Sequence, residues 1–295
     1  MGKTMIENLL ADGMGKRVKF KAMVKSCDKK VASNQSTYLD LILSDRSGEI
    51  IAKKWSATDS DVQFFESAKY IGIAGDLGEY RGKPQMTITN FKELGQDEID
   101  VSEFIKTAPE SEVSLIQEYE GFLDKISDDA IREISWTVYS KFADKFKIFP
   151  AAKKMHHAYI NGLIYHTVSM LRLAAHNHKQ YGDTVNVDMD IVYGAIALHD
   201  VAKVVEYSDP FQPEFTDLGT KVGHIVLAAM EIRLALEDLI RKKPDIDTSK
   251  VYDLIHAVLA HHGKKEWGSP VEPKTKEAGL VHQIDLMDAT INQQG

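Results

Sequence analysis

At about residue 97 the apolar residues of this chain change their period, and that change divides the fold in two. Before it, "RVKFKAMVKSC", "STYLDLILSD", "EIIAKKWSA", "KYIGIAGDLGEYRG" and "KPQMTITNFKEL" alternate with a period of two, separated by turn signals such as "DRSGE" and "YRGKP". After it, "IQEYEGFLDKISDDAIREISWTVYSKFADKF" and the segments that follow space their apolar residues three and four apart. A side chain alternates across a strand but stacks at three and four along a helix, so one period cannot serve the other geometry. Five short strands in about 80 residues fit a small Greek-key barrel of the OB type, with another small barrel or a sandwich as the alternative. "TDSDVQFFESA" reads as an irregular connection before the fourth strand. The second half reads as all-helical, with "TAPESE" (107–112) as an exposed connection and Ser111 or Ser114 as the cap of the helix after it. The expected organisation is a barrel over 1–95, a helical connection over 96–150 and a helical domain over 151–295.

A chain of 295 residues can bury two cores, and 43% apolar with 27% charged residues excludes a disordered or fibrous class. The formal net charge of -8 argues against binding nucleic acid over the whole surface, yet residues 1–95 carry 15 Lys and Arg against 12 Asp and Glu. The front is mildly basic and the remainder acidic. Cys27 is the only cysteine, which excludes an internal disulfide and a Cys-rich zinc cluster. The first residues lack the continuous apolar core of a signal peptide, and no run is long enough to span a bilayer. A cytoplasmic location without a membrane partner is expected.

The chemistry lies in the histidines. There are eleven, and none falls in the first 150 residues. Candidate ligands in chain order are His156 and His157, His166, His199 with Asp200, His224, His261 with His262, and Asp285 with Asp288. Each sits in or beside an apolar helical segment, and imidazoles and carboxylates from facing helices are how bundles build internal metal sites. A lone histidine on an amphipathic helix is more often a half-buried core residue. An ordered series at helix-length gaps is a stronger signal than any one member.

On the pattern His, His-Asp, His, His, Asp the chain resembles the HD-domain metal-dependent phosphohydrolases. The resemblance implies His166 as the first ligand, His199 and Asp200 as the doublet and Asp285 as the last, with His224 and His261 as the additional ligands of two-metal members. "FPAAKKMHHAYINGLIYHTVSML", "LHDVAKVVEY" and "HHGKKEWGSPVEPKTKEAGLVHQIDLMDA", following an OB-like front, extend the likeness to the YhaM-type 3'-to-5' exoribonuclease family over nearly the whole chain. That family usually writes "GGLLEHT" and "LHDLGK"; Asn161, Ile164, Tyr165 and Ala202 depart from it and touch no ligand position.

The expected fold is therefore an N-terminal all-β OB-type barrel followed by a C-terminal all-α HD-domain bundle. A phosphodiester is anionic, and metal ions both neutralise its charge and lower the pKa of a water. Asp200, with two oxygens, is the natural bridge between two ions. Mixed imidazole and carboxylate ligands suit Mn, Fe, Co, Ni or Zn; the resemblance favours one or two manganese ions. Lys203, one turn beyond His199 on a helix, would point its ammonium at the phosphate, the alternative being a surface lysine paired with Glu206 or Asp209. Asp200, Lys203 and His157 are the catalytic candidates, His157 standing where it reaches the substrate or the groups behind the metal. In the barrel, Lys21, Tyr38, Lys53, Trp55, Tyr80 and Arg81 are the candidates for a basic groove with stacking platforms; core packing and solvation are the alternative roles. The resemblance implies 3'-to-5' hydrolysis of single-stranded RNA, and of DNA as an alternative, to nucleoside monophosphates. A phosphohydrolase of small or cyclic nucleotides would leave the barrel idle, and a non-enzymatic single-strand-binding protein would leave the ligand set unexplained. A homo-oligomer is admitted by either.

Overall fold

In the computed structural model the described residues are 5–293 without 34, 154–156, 158, 182–183 and 212, so His156 lies outside them. The chain divides into two compact units, Met1–Lys106 and Thr107–Gly295.

The first unit is a closed five-stranded barrel. After α1 (Ile6–Asp12) come β1 (Arg17–Val31), β2 (Thr37–Asp45) and β3 (Gly48–Lys54), then α2 (Asp59–Ser67), β4 (Tyr70–Tyr80) and β5 (Lys83–Glu93). The strands close in the order β1-β2-β3-β5-β4, with β3 and β5 parallel and every other pair antiparallel. This is the OB topology, and it closes because β1 pairs with both β2 and β4, bending at a bulge between Val24 and Ser26. Leu39, Leu41, Leu43, Ile71, Ile73 and Met86 point inward and are buried, which is the period of two realised as a core. At Gly75 the register of β4 shifts, and a Cβ there would stand 2.2 Å from the Thr87 carbonyl oxygen, so only glycine admits this approach. The segment expected as an irregular connection before β4 is α2. Thr58 and Asp61 form a reciprocal cap, each side chain accepting from the other's backbone N–H, which nucleates a helix that apolar spacing alone leaves obscure.

The expected 96–150 connection does not stand apart. Helix α3 (Val101–Phe104) stays with the barrel, where Phe104 packs with Met23 and Leu94. From Thr107 the chain joins the helical unit: Ala108 N–H donates to the Ile160 carbonyl, and Arg172 forks onto Glu110 and Glu118. Ser111 caps α4 (Glu112–Asp124), accepting from Ser114 N–H. Asp128 caps α5 (Asp129–Phe146). Leu115, Tyr119, Phe122 and Ile131 lie in the same core as the later helices.

Those are α6 (Gly162–Tyr181), α7 (Met189–Leu198), α8 (Lys203–Glu206), α9 (Asp217–Val222), α10 (His224–Lys242), α11 (Val251–Ala260) and α12 (Lys276–Gln293). Helix α7 packs against α4, α5, α6, α11 and α12. Its sequence, "MDIVYGAIAL", is apolar nearly all round, and such a helix is stable only when enclosed. The end of α7 therefore lies at the centre of the bundle, and His199 and Asp200 follow it directly. Among the described residues no helix is long and apolar enough to cross a membrane.

Candidate metal centre and nucleic-acid face

Helix ends build the candidate metal-binding cluster. His199 and His261 are the C-cap residues of α7 and α11, where the last carbonyls lack intrahelical donors. Each ring uses one: His199 Nδ1 lies 2.7 Å from the Ile196 carbonyl oxygen, and His261 Nδ1 2.6 Å from that of Val258. A carbonyl only accepts, so the proton is on Nδ1 and the Nε2 lone pair faces away from the helix. His224 opens α10, and its Nδ1 and backbone N–H both donate to Glu206 Oε1, at 2.9 and 3.0 Å. His166, inside α6, donates from Nδ1 to Asp288 Oδ2 at 2.7 Å. All four imidazoles are thus oriented by an acceptor on Nδ1, as metal-ligating histidines are.

Their Nε2 atoms converge on two carboxylates. Asp200 Oδ2 lies 3.3 Å from His199 Nε2 and 3.8 Å from His166 Nε2; Asp200 Oδ1 lies 3.2 Å from His224 Nε2 and 3.8 Å from His261 Nε2. Asp285 Oδ1 is 3.3 Å from His166 Nε2. Asp200 thus has His166 and His199 on one oxygen and His224 and His261 on the other. Asp200 Oδ1, His224 Nε2 and His261 Nε2 are buried without any hydrogen-bond partner. Three orphaned acceptors within one cluster are costly in a folded interior unless a cation joins them. The donor set of imidazole and carboxylate fits a divalent transition metal. Among the described residues three groups are close enough to hold an ion: His224, His261 and His262; His166, His199 and Asp200; and His157, His166 and Asp288.

The local electrostatics set the charge of each group in the cluster. Burial opposes ionisation of Asp200, but the Lys203 ammonium and His199 outweigh it and keep the carboxyl well below the usual range. Burial likewise opposes charge on His166, yet its bonds to Asp285 and Asp288 raise its pKa to about 9. In the metal-free protein a proton on His166 therefore supplies part of the positive charge. Burial drives His261 the other way, keeping it neutral.

The structure shows where Lys203 and His157 lie. Lys203 is not carried on a helix continuous with His199, because α7 ends at Leu198 and the chain turns before α8. It is buried rather than a surface residue, with Nζ 2.7 Å from both Asp200 Oδ2 and the Ala151 carbonyl oxygen. His157 has both ring nitrogens engaged, Nε2 with Asp288 Oδ2 at 2.8 Å and Nδ1 with the Tyr159 hydroxyl at 2.7 Å. It stands behind His166 rather than facing the cluster. Asp288 is the hub of this relay, accepting also from Ser169 at 2.5 Å. Asp288, a candidate ligand in the sequence, instead orients His166 from one helical turn beyond Asp285, and Glu206, read only as an alternative partner of Lys203, orients His224; neither orienting role is visible in the sequence.

Local geometry also accommodates two of the departures from the family pattern, Asn161 and Ala202. Asn161 has φ 62°, a left-handed conformation that asparagine tolerates better than most residues, and its amide donates to the Lys147 carbonyl and Glu112. Ala202 sits at φ -81°, where glycine is not required.

A cleft of about 410 Å³ opens on the cluster, lined by His166, Asp200, Lys203, His224, His262 and Asp285 among others.

In the barrel, register places Tyr38, Asp40 and Ile42 of β2 on the same outer face as Ile51 and Lys53 of β3. Trp55 follows at the strand end, its ring 4.8 Å from that of Tyr38, with Lys53 Nζ 4.8 Å from the Tyr38 ring. Ile42, Ile51 and Trp55 are exposed, so this face is an aromatic and aliphatic platform with a cation upon it. Tyr80 and Arg81 form a second pair in the β4–β5 turn. Lys21 is not part of that platform: it lies on the β1–β4 side, donating to the Glu98 carbonyl and lying near Glu103.

The HD-domain family matches residues 163–290. The chain is 36% identical over 289 residues to the 3'-5' exoribonuclease YhaM of Bacillus pumilus, covering 98% of this chain and 90% of that protein. It is 37% identical, with the same coverage, to the protein of that name from Listeria welshimeri. The second OB-fold domain of replication protein A from Methanococcus maripaludis is similar over 28% of this chain and 88% of that one, at 14% identity and a TM-score of 0.23. Because the kinship with the two bacterial proteins runs through 98% of the chain, taking in barrel and helical unit alike, the chain belongs to the YhaM 3'-5' exoribonuclease family.

Proposed function

We propose that this protein is a metal-dependent 3'-to-5' exonuclease that hydrolyses single-stranded RNA, and single-stranded DNA of the same length as a secondary substrate, to nucleoside monophosphates. The observation that carries the reading is the set of four imidazoles, each with Nδ1 committed to an acceptor and Nε2 turned toward Asp200 or Asp285. His166, His199, Asp200 and Asp285 would hold one ion, and His224 and His261, with His262 beside them, a second across Asp200. Manganese, iron, cobalt, nickel and zinc all suit this mixed ligand set, and manganese is the ion that the family resemblance favours. A bound divalent metal supplies charge neutralisation on the phosphate and lowers the pKa of a water.

The chain's own groups do the rest. Lys203 keeps Asp200 ionised and adds a positive charge to the cleft that receives the phosphate. Asp288 and Glu206 fix the rings of His166 and His224, so that neither ring need turn to present Nε2. In the hydrolysis a water oxygen adds to phosphorus, the bond to the 3'-oxygen of the preceding nucleotide breaks, and that oxygen leaves with a proton. The direction of attack is the one named for the relatives. The Tyr38, Lys53 and Trp55 platform, with Tyr80 and Arg81, holds the strand by stacking and charge, which is sequence-tolerant.

The test is chelator-treated full-length protein with 5'-end-labelled single-stranded RNA, and DNA of the same sequence, with and without added manganese. A ladder shortening from the 3' end only when metal is present is expected. Shortening from the 5' end, or none with any of manganese, cobalt, iron, nickel or zinc, would overturn the reading.

A further inference from the structure

The cleft over the candidate metal-binding cluster has two chemistries. Its lining includes the ionic groups His166, Asp200, His224 and Asp285 and the apolar side chains Tyr207, Phe215, Trp267, Leu286 and Ala289. Two of these are rings left half in solvent, Phe215 at 53% and Trp267 at 48% exposed. Exposure alone means little, since other large apolar side chains of this protein are exposed as well. Position and anchoring distinguish these two.

Both are tied to the machinery beneath them. Phe215 pairs with Tyr207 by a backbone bridge and by ring contact at 5.4 Å, and the next residue, Thr216, donates from its backbone to the carbonyl of Glu206, the residue that orients His224. Trp267 lies in a one-turn helix whose carbonyl accepts from His262 Nδ1 at 3.0 Å. A cation accompanies each ring: Lys153 Nζ lies 5.2 Å from the Phe215 centroid and Lys264 Nζ 4.6 Å from that of Trp267. An aromatic face beside an ammonium, in one cleft with these ionic groups, matches a nucleotide, whose base is flat and apolar on its faces and whose phosphate is anionic.

We infer that Phe215 and Trp267 form a stacking site for the base of the 3'-terminal nucleotide, which places the adjoining phosphate over the candidate metal ligands. This rests on the exonuclease reading above and extends it to substrate positioning. Among the described residues no amide side chain lines the cleft, and stacking on a ring face does not read a base edge, so the site accepts any of the four bases, purines more tightly than pyrimidines because they stack over a larger area. Both are positioning residues that touch the substrate away from the bond that breaks.

The experiment has a binding arm and a rate arm, both on the full chain. In the first, chelator-treated protein is titrated with a short RNA bearing 3'-terminal 2-aminopurine, whose fluorescence falls on stacking. Quenching by the parent, lost in Phe215→Ala/Trp267→Ala and restored in part by Trp267→Phe, supports the site. Quenching that survives in the double variant overturns it. In the second arm, with manganese, the parent should cleave RNA with a normal 3' nucleotide about 5- to 150-fold faster than RNA whose terminal nucleotide lacks a base, the range expected for stacking one base. The double variant should lose most of that preference, and a preference unchanged from the parent overturns the inference. Quenching by the parent without hydrolysis of either RNA would sink the exonuclease reading and leave the stacking site standing. Hydrolysis with preference unchanged in the variant does the reverse.

Discussion

Asp288 makes a demanding test of the site, because it touches no Nε2 of the cluster and yet decides where His166 points. Its Oδ2 accepts from His166 and His157 and its Oδ1 from Ser169, all within a buried environment. Asp288→Asn keeps the shape. The amide oxygen can still accept from the two histidines, and the new NH2 can donate to the Ser169 hydroxyl, which accepts as readily as it donates. What is lost is the negative charge that makes His166 a more basic ligand. Removing such an outer partner typically weakens metal binding 10- to 100-fold, or about 1.4 to 2.7 kcal/mol. Asp288→Ala removes the acceptor altogether and leaves two imidazole N–H groups buried without partners, at about 1 to 3 kcal/mol each in fold stability. Titration calorimetry of manganese into chelator-treated protein reads the first quantity, and thermal unfolding followed by circular dichroism reads the second. The expected pattern is weaker metal with near-parental stability for Asn, and loss of both for Ala. An Asn variant that binds manganese within twofold of the parent would refute the claim that Asp288 acts through His166.

Four further outcomes are expected. Asp200→Ala should abolish hydrolysis while leaving single-strand affinity, read by fluorescence anisotropy, nearly unchanged, since the platform lies in the barrel; loss of binding in a folded variant would contradict this division of labour. Apparent manganese affinity should rise from about pH 6.5 to about pH 8.5, because His166, raised to about 9 by its carboxylate partners, holds a proton that the metal must displace, and protons favour the metal-free form; a flat profile would count against His166 as a ligand. Trp55→Ala should weaken single-strand binding by about 1 to 3 kcal/mol and leave dinucleotide hydrolysis intact, with a shallow salt dependence because the barrel carries little net charge. Gly263→Ala should lower both melting temperature and metal affinity, since Gly263 has φ 82° and a Cβ there would come within 2.3 Å of the His282 ring, directly after the His261–His262 pair; a variant with parental melting would show that this loop yields without strain.

The change of period near residue 97, the alternation that closes as a barrel and the chain order of the candidate metal ligands were all legible in sequence, because each is a local regularity or a spacing along the chain. The apolar run "IVYGAIAL" already required an enclosed helix, and so put His199 and Asp200 at the centre of whatever bundle formed. Tertiary structure alone decided which neighbours orient them. His157 and His166 meet Asp288 across 131 and 122 residues of chain, and His224 meets Glu206 across 18, separations on which hydrophobic periodicity carries no information. The same holds for Lys203, which sequence placed one turn beyond His199 on a single helix and which is fastened between Asp200 and the Ala151 carbonyl 52 residues away. Helix α2 escaped the apolar pattern because a reciprocal cap, not an amphipathic stripe, starts it. The unit boundary fell at Lys106 rather than residue 95 because Phe104 found its partners, Met23 and Leu94, in the barrel. A sequence sets which residues repeat together, whereas a ring's tautomer, a carboxylate's charge and a lysine's burial are fixed by whatever the fold brings to within about 3 Å of them.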